Sequence, residues 1–146
     1  MAELRFALSP ERAIRSCRGM KSETEKLLQK ASRSIRAAER LLKEGDVDFA
    51  ASRVYYALFY IAEGLLNERE LQFKKHGGVH SAFAEQFIKT KQMDPKFHRW
   101  LVDAFDERIQ GDYEVESAVD AKDVTATLEQ AREFLQAARQ HLASQP

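Results

Sequence analysis

The chain of 146 residues predicts an all-α fold, an antiparallel up-and-down helical bundle of four main helices plus one short helix. Three observations carry that expectation. Only three prolines and six glycines interrupt the chain, no apolar/polar alternation is bounded by hairpin turn signals, and apolar residues recur three and four apart. A chain of this length buries a core without disulfides or a structural metal and fits one domain.

The first main helix is expected to begin at Ser22, with Ser22 and Glu25 as a capping box, and to end near Gly45. Leu27, Ala31, Ile35, Ala38 and Leu42 form its apolar stripe. The second helix, capped by Asp46 or Asp48, runs through Leu66, with Gly64 interrupting its last turns. It is apolar almost all round, as a central bundle element must be. Gln72 to Gly78 reads as a loop because of its paired glycines, followed by a short third helix from Val79 to Lys89. Asp94-Pro95 opens the fourth helix as N-cap and first helical residue, with Phe97, Leu101 and Ala104 or Phe105 inward and a stop near Gly111. Asp120 caps the last helix, whose inward stripe is Val124, Leu128, Ala131, Leu135, Ala138 and Leu142. A second apolar edge on that helix would favour a homodimer.

Residues 1–20, with scattered Arg5, Arg12, Arg15 and Arg18, read as an N-terminal extension to the bundle of residues 21–146, and Met20 is a candidate natural start. The lone Cys17 excludes an internal disulfide, and no Cys/His spacing matches a zinc site, so neither metal nor cofactor is expected and a reducing cytoplasm is the default compartment. No apolar run reaches the roughly 18 residues that span a bilayer, so no membrane is expected as a partner. The formal net charge is zero, but residues 69–100 carry a balance of +4 and residues 102–123 one of −6. The acidic stretch disfavours polyanions locally.

Within the second helix, Ser52-Arg53-Val54-Tyr55-Tyr56-Ala57-Leu58-Phe59-Tyr60 places one arginine and three tyrosines in an apolar setting. A buried guanidinium needs an acidic or phosphate partner, or an edge where it reaches water. Arg53 is therefore either a cation in a cleft or half of a structural ion pair, with Asp112 a candidate partner for Arg53 or Arg108. Tyr56 and Tyr60 follow Arg53 at helical spacing and either wall the same cleft or fill core. Lys75-His76-Gly77-Gly78 offers a cation and backbone donors to phosphate, or only a turn. His80, His98 and His141 lack companions at metal-ligand spacing and are expected to face solvent, whereas Trp100 is expected to anchor core or interface.

Ala51 to Phe59, Lys75 to Val79, and Arg108-Ile109-Gln110-Gly111-Asp112-Tyr113 together resemble the HEPN domain family over roughly residues 21 to 143. The resemblance implies a helical bundle, often dimeric, frequently encoded beside a minimal nucleotidyltransferase, with many members acting as toxins that cut RNA. In the ribonuclease members an arginine precedes a histidine by four to six intervening residues, and the pair meets the scissile phosphate. Metal-independent cleavage needs a group titrating near neutrality and a cation at the phosphoryl group. Arg108 matches the arginine, but Asp112-Tyr113 stands where the histidine belongs, and a tyrosine of pKa about 10 is deprotonated in about one molecule in a thousand at pH 7. Val115 occupies the position of a further tyrosine that serves partner control in some members. Arg69 and His76 also satisfy the spacing, but before the family's motif position.

The resemblance thus implies catalytic-position residues Arg108, Asp112 and Tyr113, and the residue chemistry above adds a candidate phosphate- or nucleotide-binding set of Arg53, Tyr56, Lys75 and His76. The first functional expectation is a binding half, for nucleotide, RNA or a protein partner, of a toxin-antitoxin-like module with a minimal nucleotidyltransferase. The alternatives are a metal-independent endoribonuclease toxin, with Tyr113 or His76 replacing the missing histidine, and a structural oligomerisation module.

Overall fold

The structure, a computed structural model, describes residues 20–115 and 119–145. The expectation of an N-terminal extension, and Cys17 with it, falls outside the described residues apart from Met20. Among the described residues five α-helices follow one another: α1 (Ser22–Lys43), α2 (Val47–Glu68), α3 (His76–Phe83), α4 (Pro95–Tyr113) and α5 (Ala121–Ala143), with a π-helical turn, Ala84–Ile88, continuing α3. The all-α expectation holds, with no strand among the described residues.

Helix α2 packs against each of the other four α-helices. Its sequence explains that position: Ala50, Ala51, Val54, Ala57, Leu58, Ile61, Ala62 and Leu65 are buried on several faces. Residues of this kind lose water on every side, which stabilises the centre at roughly 25 cal/mol per Å² of apolar surface. The short Glu44–Asp46 connection turns α2 back along α1, with Gly45 at φ +87° supplying the left-handed residue after the helix end. Gly64, expected to interrupt α2, lies inside the helix at its approach to α1. A Cβ there would stand 3.4 Å from Leu28 Cδ2 and 3.6 Å from Leu27 Cβ.

Several local expectations change on packing. The Ser22–Glu25 capping box does not form: Lys21 is the N-cap residue, and its backbone N–H donates to Glu68 Oε1 at 3.0 Å. The same carboxylate accepts from the Thr24 hydroxyl at 2.8 Å, and Thr24 accepts from Asn67 Nδ2 at 3.1 Å. The start of α1 is thus tied to the end of α2 by tertiary hydrogen bonds, leaving Glu25 to meet Arg139 on α5. On α1 the stripe holds at Ala31, Ile35 and Ala38, but at its start Leu28 is fully buried in place of Leu27, and Leu27 and Leu42 lie at the margin. On α5, Phe134 fills the core in place of the expected Leu135, stacking on Phe97 of α4 with ring centroids 4.9 Å apart.

Both aspartate caps form: Asp94 accepts from Lys96 N–H at 2.9 Å, and Asp120 from Lys122 N–H at 2.9 Å. Helix α4 continues past Gly111 to Tyr113, because Gly111 is a close-approach residue rather than a stop. Its absent Cβ would stand 3.2 Å from the Asp48 carbonyl oxygen at the start of α2.

The largest revision is at α3. Residues expected to be loop enter a helix at His76, with Lys75 extended before it. Paired glycines are tolerated because Gly78 lets Phe73 close over the first turn, where a Cβ would meet Phe73 Cβ at 3.3 Å. Starting the helix three residues early puts His76 and His80 four apart on one face.

Candidate functional site

Three helices bring seven side chains into one half-buried cluster. From α2 come Tyr55, Tyr56 and Phe59, from α3 His76 and His80, and from α4 Phe105 and Arg108. Tyr55 is the pivot. Its ring is fully buried, and its hydroxyl lies 2.7 Å from His76 Nδ1 and 2.8 Å from His80 Nε2. A phenol donates one proton and a neutral imidazole carries one N–H. One of the two ring nitrogens must therefore donate to the Tyr55 oxygen while the other accepts from its hydroxyl. If His80 accepts, His76 donates through Nδ1 and its Nε2 is a bare acceptor; in the reverse arrangement His76 Nε2 carries the proton. His76 Nε2 makes no hydrogen bond among the described residues, and the ring is half-exposed, stacked on Phe59 with centroids 4.5 Å apart.

The protonation states follow from burial and charge. Burial, and then the negative charge that Tyr56 would carry if ionised, push the Tyr55 phenol far up, with Arg108 pulling weakly the other way, so it stays protonated. Burial and then the Arg108 cation push His76 below its ordinary value. Burial, with smaller contributions from His76 and His98, brings His80 down to about 4. Both imidazoles are therefore mainly neutral at pH 7.

The Arg108 guanidinium lies 5.5 Å from the Tyr56 ring centroid, 5.6 Å from Phe105 and 5.8 Å from Tyr55. Asp112, one helical turn on, holds its Nε at 3.0 Å. That single contact leaves both terminal guanidinium nitrogens without an ion pair among the described residues. A cation with free donors beside a neutral imidazole can bind a phosphoryl group and move a proton next to it.

The residues singled out from the sequence divide. Arg108, Asp112, Tyr56 and His76 come together here. Arg53 joins at the rim, its guanidinium 4.9 Å from the same Tyr56 ring. No carboxylate pairs with Arg53 among the described residues, and Asp112 pairs with Arg108 instead. Lys75 is exposed just before α3, and Tyr113 ends α4 with 79% of its surface exposed. Arg69 turns away from His76: it donates to the Gln86 carbonyl at 2.9 Å and covers the Phe87 ring at 4.0 Å.

None of the three histidines expected in solvent is fully exposed. His80 is bonded to Tyr55, His98 lies along Phe83 with centroids 6.5 Å apart, and His141 meets Phe87 edge-on at 5.7 Å. Trp100 is half-buried against Phe97 and Lys96. Tyr55, Phe59, His80 and Phe105 escaped sequence reasoning. A helix starting at His76 would have exposed the i, i+4 histidine pair.

A helical bundle in which a cation, neutral imidazoles and aromatic rings from three helices meet defines a small all-α protein with one polar cluster set among its packed helices. The chain belongs to the HEPN domain family, whose model matches residues 24–141. It is 36% identical over 124 residues to a Methanocaldococcus jannaschii protein named "Putative toxin", covering 85% of this chain and 84% of that one. A "UPF0332 protein" of Gloeobacter violaceus is 34% identical over 85% of this chain and 99% of its own length. Another of that name, from Thermotoga maritima, is 32% identical over 80% and 91%. Among the described residues no helix is long and apolar enough to cross a membrane.

Proposed function

We propose that this protein is a toxin-type HEPN bundle acting on RNA in the cytoplasm, a metal-independent endoribonuclease in which His76 takes the role of the histidine missing after Arg108. One observation carries the reading: the Tyr55 hydroxyl holds His76 Nδ1 at 2.7 Å while burial, and then the Arg108 cation, depress the same imidazole. The toxin names of two Methanocaldococcus jannaschii relatives support the class.

In the arrangement where His76 donates through Nδ1 to Tyr55, its bare Nε2 takes the proton of a ribose 2′-hydroxyl. The 2′-oxygen attacks the adjacent phosphorus, the bond from phosphorus to the 5′-oxygen breaks, and that oxygen leaves with a proton from the imidazolium or water. Arg108 offsets the charge developing on the phosphoryl oxygens. The products are a 2′,3′-cyclic phosphate and a 5′-hydroxyl.

The test is cleavage of an RNA oligonucleotide by purified protein in excess chelator. Cyclic-phosphate ends are expected, with Arg108→Ala and His76→Ala each slowing cleavage 100-fold or more and Tyr113→Phe changing it less than twofold. Full activity in His76→Ala overturns the assignment.

A second reading is favoured by exposed apolar side chains. The elements that meet at Gly111 and Asp48 carry Phe49, Tyr113 and Val115, exposed by 60%, 79% and more than 100% of the reference value. These residues suit a protein contact, either a second copy in a homodimer or the minimal nucleotidyltransferase that the family resemblance implies. A Phe49→Ser variant should then lose self-association, or co-purification with such a partner. Unchanged assembly rejects this surface.

A further inference from the structure

A groove of about 340 Å³ between α1 and α2 is lined by Lys30, Arg33, Arg36, Arg40, Arg53 and Tyr60, together with Ser34 and Ala37. Five cations line it and no carboxylate does. Among the described residues none of the five makes an ion pair, whereas Lys21, Lys96, Arg108, Arg132 and Arg139 all do. Glu63 is near enough to Lys30 to be influenced by its charge but is not in contact with it. Glu39, on the neighbouring stripe of α1, is held by Arg132. A chain of zero net charge that gathers five cations without an ion pair in one groove has a local positive field there.

The groove is also linked to the Arg108 site through shared side-chain contacts. The Ser34 hydroxyl donates to the Arg53 carbonyl at 2.7 Å, fixing α1 against α2 at this level. Arg53 lies over the Tyr56 ring at 4.9 Å and Arg108 approaches the same ring at 5.5 Å. Tyr60 carries Lys30 at 4.8 Å and sits 5.9 Å from Tyr56. Cations thus alternate with aromatic rings from Arg108 through Tyr56 and Arg53 to Tyr60 and Lys30. Along α1, residues 30 to 40 extend the positive track by about 15 Å at 1.5 Å per residue. Interleaved cations and ring faces are what a single strand needs, phosphates on the former and bases on the latter.

We infer that the α1–α2 groove is a binding track for the single-stranded RNA whose scissile bond lies at Arg108 and His76; the inference rests on the proposed action on RNA at that cleft. A single strand contacting five cations gives a salt slope of about −3.5, at about 0.7 per neutralised phosphate.

The experiment is fluorescence anisotropy of a labelled 12-nucleotide RNA with the full chain between 50 and 200 mM salt, alongside cleavage at saturating protein. In Arg33→Gln/Arg40→Gln, affinity should fall at least tenfold at 50 mM salt. The slope should become shallower by about 1.4, with an unchanged unfolding midpoint and cleavage at saturation within threefold of wild type. Arg108→Ala should abolish cleavage and change the slope by no more than about 0.7. Unchanged slope and affinity in the double variant overturn the track, and loss of cleavage in Arg108→Ala would then leave the cleft reading standing. A double-variant effect on binding without any wild-type cleavage supports the track and removes the endonuclease reading. Inorganic polyphosphate of equal charge competing as tightly as RNA overturns the nucleic-acid assignment, because the groove would then read charge without bases.

Discussion

Removing the oxygen of Tyr55 tests whether the cleft is organised by its hydroxyl or merely packed by its ring. Tyr55→Phe keeps the ring contacts to Phe59 and Phe105, with centroids 5.8 and 5.3 Å away, and deletes two hydrogen bonds of 2.7 and 2.8 Å. Each is worth about 1 kcal/mol net, and His80 is left with a half-buried unpaired nitrogen, so the loss should be about 1–3 kcal/mol. Urea unfolding reads it as a lower midpoint at unchanged m-value. The chemical consequence is larger than the thermodynamic one. Without the hydroxyl the hydrogen bond that orients the His76 ring and ties its tautomer to that of His80 is gone, and RNA cleavage should fall at least tenfold, against the roughly 10²–10⁴-fold that a positioned acid–base group supplies. Stability within about 0.5 kcal/mol of wild type and unchanged cleavage would refute the network; a stability loss with an unaltered pH–rate profile would reduce Tyr55 to a core residue.

Stability should fall in mild acid. The His80 pKa is lowered to about 4 in the folded state, and His76 and His141 are lowered too, so the unfolded chain binds more protons. Their contribution is complete above about pH 6.5 and, for His80, is lost as pH falls through about 4. Solvent screening at the half-open site leaves about 1–2 kcal/mol for His80, and Glu63 and Glu107, whose carboxyls are raised by burial, act in the opposite direction; urea titrations from pH 7 to 4 test the sum. Phe134→Ala should cost about 3–5 kcal/mol, because the ring is fully buried between Phe83 and Phe97, and a thermal shift of less than 5 °C would contradict that packing. Gly111→Val sets a side chain 3.2 Å from the Asp48 carbonyl oxygen, a backbone atom that cannot rotate aside, and should cost about 1–3 kcal/mol in urea unfolding. Asp112→Asn frees Arg108 from its 3.0 Å partner; stability should change by less than about 1 kcal/mol, while KM for RNA falls and kcat falls with it.

The elements were legible where local chemistry decides them. Asp94-Pro95, Asp120 and Gly45 mark helix ends through hydrogen bonds and a backbone angle formed within a few residues. Legibility ended where a distant residue supplies the missing partner. Glu68 replaces the capping box at Ser22 from 44 residues beyond Thr24, and Phe73 makes a helical first turn of two glycines that look like a loop. Gly64 and Gly111 read as interruption and stop, but their function is to admit a neighbouring helix. The candidate site divides the same way. Arg53, Arg108 and Tyr56 were visible as residue types that an apolar helix or a motif must account for. Tyr55 was passed over for Tyr56 and Tyr60, whose spacing from Arg53 is better, because a helical period gives the face of a residue but not what that face meets.

The missing histidine shows what that difference means for chemistry. A linear motif places a cation and an imidazole on one helix, four to six residues apart, and by that criterion Arg108 followed by Tyr113 is defective. In space the requirement is only that a neutral imidazole and an unsaturated guanidinium share a cleft. Under the proposed function helix α3 meets it with His76, which is held by the Tyr55 hydroxyl and the Phe59 ring within reach of the Arg108 charge. The substitution has a cost that can be measured: an imidazole on α3 is positioned through Tyr55 on α2 rather than by the helix that carries the arginine. Cleavage by this arrangement should therefore be more sensitive to Tyr55→Phe than to any change at Tyr113, which the fold leaves in solvent. If the order of sensitivities is reversed, the chemistry follows the linear motif after all, and the histidine pair is core.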